Sequence, residues 1–301
     1  MAGNTKAIKS RIKSVKNTKK ITKAMEMVSA AKMKKAIDAA LRTRVYATLA
    51  GELLEKMSYT QAENLPLFAK REAKKVLFIL VSSNKGLCGS FNANVFKIGM
   101  SALQEHGVNK AIDVLGVGKK SALFAKRNNV PLIGVFDTLS ETPDIEDVLP
   151  IAHQAVHAFI SEQYDEVFLL YTHFQSSLVQ HATIKQLLPL SKKDIAALAH
   201  DSTVATADVV RQPNSMEHMY VEPSKEEVLE KILPKLVDIQ VYQSILESAA
   251  SEHSARMVAM KNATEAAGDM IKNLSIAFNK ARQAAITQEI AEIAGGAAAL
   301  E

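Results

Sequence analysis

The chain has 301 residues, 48% of them hydrophobic, no tryptophan and a net charge of +5, enough for one large domain or two ordinary ones with a buried core. No run approaches the ~18 apolar residues of a membrane span, and "MAGNTKAIKS" has neither the apolar core nor the cleavage site of a secretory signal. The single cysteine, Cys88, excludes an internal disulfide framework and suits a reducing compartment.

The first predicted element is one long helix over Thr5–Ser58, on propensity alone. It is strongly basic: residues 1–35 hold eleven Lys and Arg against Glu26 alone. Charge gathered at one end points to an acidic partner for that end. Apolar residues Ile8, Ile12 and Val15, then Ile21, Met25 and Val28, follow 4-3 spacing with a slip between the two sets. Farther on, Ile37, Leu41, Val45, Leu49, Leu53 and Met57 recur every fourth residue, a stripe that winds around the helix. Within "KKITKAMEMVSAAKMKKA" the apolar side chains are methionines, alanines and β-branched residues, with no leucine. Such a surface makes shallow, adaptable contacts.

The middle is built differently. No proline precedes Pro66 or follows Pro234, and twelve of the sixteen aromatics fall between residues 60 and 223. "KKVLFILVSS" predicts a strand, "FNANVFKIGMSALQEHG" a helix, "AIDVLGVG" a strand and "KSALFAKRN" a helix. Strand "PLIGVFDTL", helix "DIEDVLPIAHQAVHAFISEQ" and strands "EVFLLYTHF" and "HATIKQLLP" follow. Continuous apolar strands separated by helices indicate an α/β fold with a mostly parallel, Rossmann-like sheet. Ser191–Ser224 reads as a polar loop with a short strand near "HMYVE".

The last element opens at "SKEE", where Ser224 and Glu227 form a capping box. From Ile232 a 4-3 alternation runs through Leu236, Ile239 and Leu246 as far as Ala281 and Ala285, with polar entries at Gln243, His253 and Thr264. Sustained over more than three heptads, it predicts a coiled coil. About 70 helical residues would extend roughly 110 Å, several times an ordinary helix.

The expected organisation is an N-terminal coiled-coil helix (1–60), an inserted α/β domain (74–222) and a C-terminal coiled-coil helix (223–301) pairing antiparallel with the first. The C-terminal arm is the longer by about 20 residues, an overhang of roughly 30 Å from about Phe278 onward. It ends in "IAGGAAAL", and a lone helix with an apolar tip calls for an enclosing partner protein.

The motifs of nucleotide chemistry are incomplete. "GVGKKS" (Gly116–Ser121) has one residue between its glycines where a Walker loop needs four. "NKGLCGSFN" follows the first strand, where a dinucleotide fingerprint would lie, but Gly86 and Gly89 supply only half of one. His153 and His157 share a helix face without an evident third ligand, and Cys88 has no evident histidine partner. No catalytic, cofactor or metal site is expected. A nucleic-acid-binding coiled-coil protein is the alternative suggested by the basic arm, but that arm lacks interleaved aromatics and the heptad arm is not basic.

"ITKAMEMVSAAKMKKA", "SSNKGLCGSFN", "SARMVAMKNAT" and "FNKARQAAITQEIAEI" together resemble the γ subunit of F-type ATP synthase. The resemblance spans both arms and the intervening domain in order, and is weakest over Ala196–Met219. It implies the central rotor shaft, a non-catalytic subunit that couples ion flow to ATP synthesis or hydrolysis. The paired arms would enter a ring of α and β subunits, and the α/β domain would stand beside ε on the c-subunit ring. Contact with the membrane would come only through those partners, with no nucleic acid, at the cytoplasmic side of a bacterial inner membrane. It also implies contact residues. Met25 matches the methionine beside the acidic loop of β, and Lys85 and Cys88 lie in a turn near that loop and ε. Arg256, Arg282, Gln283, Thr287 and Glu289 match positions that meet a β catch loop or interact with the Met25 region. The lone cysteine departs from the dithiol switch of chloroplast relatives, which needs a pair.

Overall fold

The apolar runs of the middle become strands because each offers a side chain to both faces of a sheet. They are β1 (Lys75–Val81), β2 (Ala111–Val117), β3 (Leu132–Phe136), β4 (Glu166–Phe174) and β5 (Gln180–Leu188). The helices are α1 (Ala2–Lys56), α2 (Phe91–His106), α3 (Lys119–Asn128), α4 (Ile145–Ile160) and α5 (Lys225–Ala298). The structure is a computed structural model and describes residues 2–56, 65–108, 110–191 and 224–298. Every strand and helix expected between Lys74 and Pro189 is present. The strand expected near "HMYVE", with most of its loop, lies outside the described residues, as do Met57 and Ser58.

The sheet order is β3-β2-β1-β4-β5, parallel except for β5, which returns antiparallel on β4. Side chains alternate across it. Val76, Phe78 and Leu80 pack with Val95 and Ala102 of α2 and Phe124 of α3. Leu77, Ile79 and Val81 face the other way, into a core shared with α4 and with Leu229–Ile245 of α5. Both faces are covered, which is why these strands read as unbroken apolar runs.

The chain divides into two compact units, Ala31–Ala255 and Met1–Ala30 with Arg256–Glu301. In the second, α1 and α5 pair antiparallel: the Thr22 and Thr264 hydroxyls meet at 2.7 Å, and Gly268 leaves room for Lys19. On α5 the predicted seam holds. Met260 and Ala267 are buried, and Thr264, Ile271, Leu274, Phe278, Ala281 and Ala285 are half-buried between exposed neighbours.

On α1 the expected seam holds at Ile8, Ile12, Val15 and Met25, which are half-buried, and is corrected elsewhere. Ile21 is 60% exposed and Val28 points outward with it, whereas Thr22, at 9%, and Ser29 are turned inward. Small polar side chains permit close helix approach, and the Thr22 hydroxyl is satisfied by both Thr264 and the Lys19 carbonyl. In the same way Ala36 and Ala40 are buried while Leu41 and Leu49 are exposed. The overhang is corrected too. Phe278, Ala281 and Ala285 keep partial cover, and residues 286–295 are exposed on every side. The Thr22–Thr264 level places Ala2 opposite about residue 284, so α5 outruns its partner only after Ala285.

At the start of α5 the Glu227 N–H donates to Ser224 Oγ at 3.2 Å, as the capping box requires. Pro234 sits inside α5 without ending it.

Candidate functional site

In a sheet of this order the ligand crevice lies beyond the carboxyl ends of β1 and β4, where the chain turns to opposite sides. Here that crevice is filled by protein. Ile245, Ser248, Ala249, Glu252 and His253 of α5 line it together with Ser82, Asn84, Gly118 and Glu141, leaving a cavity of about 60 Å³. That is room for a water or two, far below the several hundred Å³ of a small-molecule site. The glycines of "GVGKKS" have packing tasks. A Cβ at Gly116 would run into Ser121 Oγ, and one at Gly118, where φ is +86°, into the Ser82 carbonyl. Among the described residues no cluster of His, Cys, Asp and Glu could hold a metal ion.

The loop "NKGLCGSFN" is held from within. Ser83 N–H donates to Asn92 Oδ1 at 3.0 Å, while Asn92 Nδ2 donates to Ser83 Oγ at 2.7 Å and to Cys88 Sγ at 3.3 Å. Cys88 is thereby buried, 3% exposed, and its neighbour Leu87 is driven outward at φ +62° and 63% exposed. A bulky residue in the left-handed region is strained, and this one puts an apolar side chain into solvent. Lys85 donates to Glu141 Oε1 at 2.8 Å, and Lys32 of α1 pairs with the other carboxylate oxygen. The hydrogen bonds from Lys32 and Lys85 hold the Glu141 carboxyl down at about 2, against the desolvation that opposes them.

In the helical unit, Met25 is half-buried and Arg256 is buried. Ile21, Ala24, Met27 and Val28 form an exposed apolar arc on the side of α1 turned from α5. Beside it runs a groove lined by Ile12, Met27, Thr264 and Ile271 and by a row of lysines that includes Lys9, Lys13, Lys16, Lys20 and Lys23. Arg282, Gln283, Thr287 and Glu289 are exposed. At 100° per residue they flank a stripe of Ile286, Ile290 and Ile293, Arg282 and Glu289 on one side, Gln283 and Thr287 on the other. Ile293 is 70% exposed. An apolar strip with a polar rim has the anatomy of a protein interface.

Within the helical unit, the six predicted residues Met25, Arg256, Arg282, Gln283, Thr287 and Glu289 are not brought together at one place. Met25 stands level with about residue 261 of α5, so Arg282 lies roughly 30 Å farther along. Sequence reasoning missed Leu87, Lys32 and Glu141. Glu141 had no legible signal, since its lysines are 109 and 56 residues away in sequence. Leu87 was legible in principle as the one bulky residue between the glycines of "GLCG".

Residues 4–300 match the family model described as ATP synthase. The ATP synthase gamma chain of Chloroflexus aurantiacus is 43% identical over 302 residues, 99% of each chain. That of Legionella pneumophila is 38% identical over 306 residues, the whole of each. Among solved structures, a chain of the Tetrahymena thermophila mitochondrial ATP synthase central stalk and c-ring is 27% identical. It covers 81% of this chain and 99% of its own, with a TM-score of 0.57. A chain of the Euglena gracilis mitochondrial ATP synthase rotor has the same fold, with TM-score 0.62, 19% identity and coverage of 95% and 100%.

Proposed function

The chain belongs to the ATP synthase gamma-chain family, and from that premise we propose that it is the turning shaft of the complex. The α1–α5 pair is held inside a ring of α and β subunits, and the α/β unit is joined to ε and the c-subunit ring. One observation carries this reading. Large apolar side chains along the helical unit, Ile21, Met27, Val28, Ile286, Ile290 and Ile293, are left exposed among the described residues. A partner that surrounds the pair from more than one side buries them all.

The division of labour follows from the same features. The crevice that binds nucleotide in comparable sheets is occupied by α5, which supports assigning catalysis to the ring. Turning, the shaft presents a different side to each β subunit in succession: an apolar arc, a lysine row, or the rim of the tip. Each β site is thereby driven through states that bind, convert and release nucleotide. Contacts made by isoleucine, methionine and alanine lack directional bonds that every turn would have to break. Met25, Arg256, Arg282, Gln283, Thr287 and Glu289 are proposed as contacts of the shaft with β. The loop carrying Lys85 and Cys88 is proposed as a further contact, made through Leu87 and Lys85. No described helix is long and apolar enough to cross a membrane. We place the chain at the cytoplasmic face of a bacterial inner membrane, held there through the c-ring.

Co-expression of the tagged chain with the α and β subunits of its host tests assembly. A stable complex with ATPase activity is expected. Isolation of the chain free of both subunits, under conditions where α and β assemble with each other, would contradict the reading.

A further inference from the structure

β4 is longer than its neighbour. β1 pairs with it only as far as Leu170, so on that side Tyr171–Phe174 has no strand beside it among the described residues, although β5 continues along the other edge to Phe174. An open edge inside a fold must be covered. α5 covers it with side chains. The Thr172 N–H donates to Ser248 Oγ at 2.9 Å, and Ser251 Oγ donates to the Thr172 carbonyl at 3.4 Å. At the end of the strand, Ser254 Oγ donates to the Ser177 carbonyl at 2.5 Å and accepts from Gln180 Nε2 at 3.4 Å. His173 Nδ1 meets Glu247 Oε2 at 2.7 Å, while Gln243 Nε2 donates to the other oxygen at 3.2 Å. Glu247, Ser248, Ser251 and Ser254 are all buried and lie within about a third of the helix circumference.

The preceding turns of the same helix are of another kind. Leu229, Leu233, Leu236, Val237, Val241 and Ile245 pack into the core with no polar partner. Apolar packing resists separation but has little directional preference. Hydrogen bonds weaken steeply when their angles change, so a helix bonded through one side to a strand cannot turn about its own axis without breaking them.

We propose that Glu247, Ser248 and Ser251 key α5 to β4, and Ser254 keys it to the turn that leads into β5, so that torque passes between the sheet and the shaft without the helix slipping in its seat. These are positioning residues, acting on the catalytic ring only through the shaft. The inference rests on the rotor reading above and adds to it the place where load crosses from sheet to helix.

The test uses the complete complex in sealed vesicles. ATP hydrolysis and ion pumping are measured while the opposing ion gradient is raised. The variants are Ser248→Ala with Ser251→Ala, and separately Glu247→Gln, which preserves size. Val241→Ala serves as a comparison that weakens the same helix seat through lost apolar packing. With no gradient, all should hydrolyse ATP near the wild-type rate. As the gradient rises, the keyed variants should lose ions pumped per ATP increasingly, while Val241→Ala keeps the wild-type ratio. Wild-type ratios under load in the keyed variants that assemble, or an equal loss in Val241→Ala, would overturn the key. Should the serine variant fail to assemble, Glu247→Gln alone decides. Wild-type complex that hydrolyses ATP without pumping would instead overturn the rotor reading, before any variant is compared.

Discussion

Single residues here carry tasks that their type alone does not announce. Glu141 joins Lys32 of α1 to Lys85 of the loop after β1, and its carboxyl is held down at about 2 from an ordinary 4.5. A lowered carboxyl contributes stability that is complete above about 4.5 and is lost as the pH falls toward 2. Both lysines are partly exposed, so we expect Glu141→Gln to cost only about 1 kcal/mol at neutral pH. Chemical denaturation across the acid range should show that difference constant above the ordinary carboxyl value and vanishing at the acid end. Met25 is the second case. Met25→Lys adds a cation where the proposed acidic β loop passes, and a partly desolvated pair there would hold one rotary position. Assembly should survive and ions pumped per ATP should fall; a wild-type ratio would remove Met25 from the contact set. Residue patterns were legible where side chains serve their own chain, as in the strands. They misled at Ile21 and Val28, which are exposed, on a surface we propose another protein covers, while Thr22 and Ser29 take the inward positions.

Among elements, α5 changes character along its length. It is packed into the sheet's core as far as Ile245, hydroxyl-bonded to β4 and the turn after it as far as Ser254, paired with α1 as far as Ala285, and exposed from Ile286 to Gly295. The heptad seam was legible because it repeats, and the strand–helix alternation because each element has its own period. The seat on β4 was not, because serines spaced three and four apart read as an ordinary polar helix face until the strand beside them is known. Hydrogen exchange follows the same divisions. In the isolated monomeric chain, amides beyond Ala285 should exchange freely, and in the assembled complex they should be protected. Strong protection in the monomer would contradict an unpartnered tip. Truncation separates the parts of that tip. Removing Ala294 to Glu301 takes only small side chains and the terminal leucine and glutamate, and should weaken the assembled complex to heat while leaving coupling. Removing everything from Arg282 also takes the isoleucine stripe and its polar rim, and should lower coupling further in the complexes that form. Equal loss from both would show that the rim has no task beyond that of the last eight residues.

For the whole molecule, fold and use are joined by what the chain leaves unburied. A parallel sheet with α helices on both faces would ordinarily offer a crevice to a small ligand; here α5 takes that place and the chain offers apolar surface at the far end of the same helix. That a mostly parallel sheet with its helices lies between two long helices was legible from proline and aromatic placement. The identity of the partners was not contained in any pattern of residues, and came with the family resemblance. The central claim is that this chain turns within a catalytic ring. Val108, 79% exposed after α2, replaced by cysteine accepts a bead while the buried Cys88 stays unlabelled. With the α and β ring fixed to a surface, the bead should rotate in one direction when ATP is added and stop when it is exhausted. A complex that hydrolyses ATP steadily while its bead stays still would contradict the account.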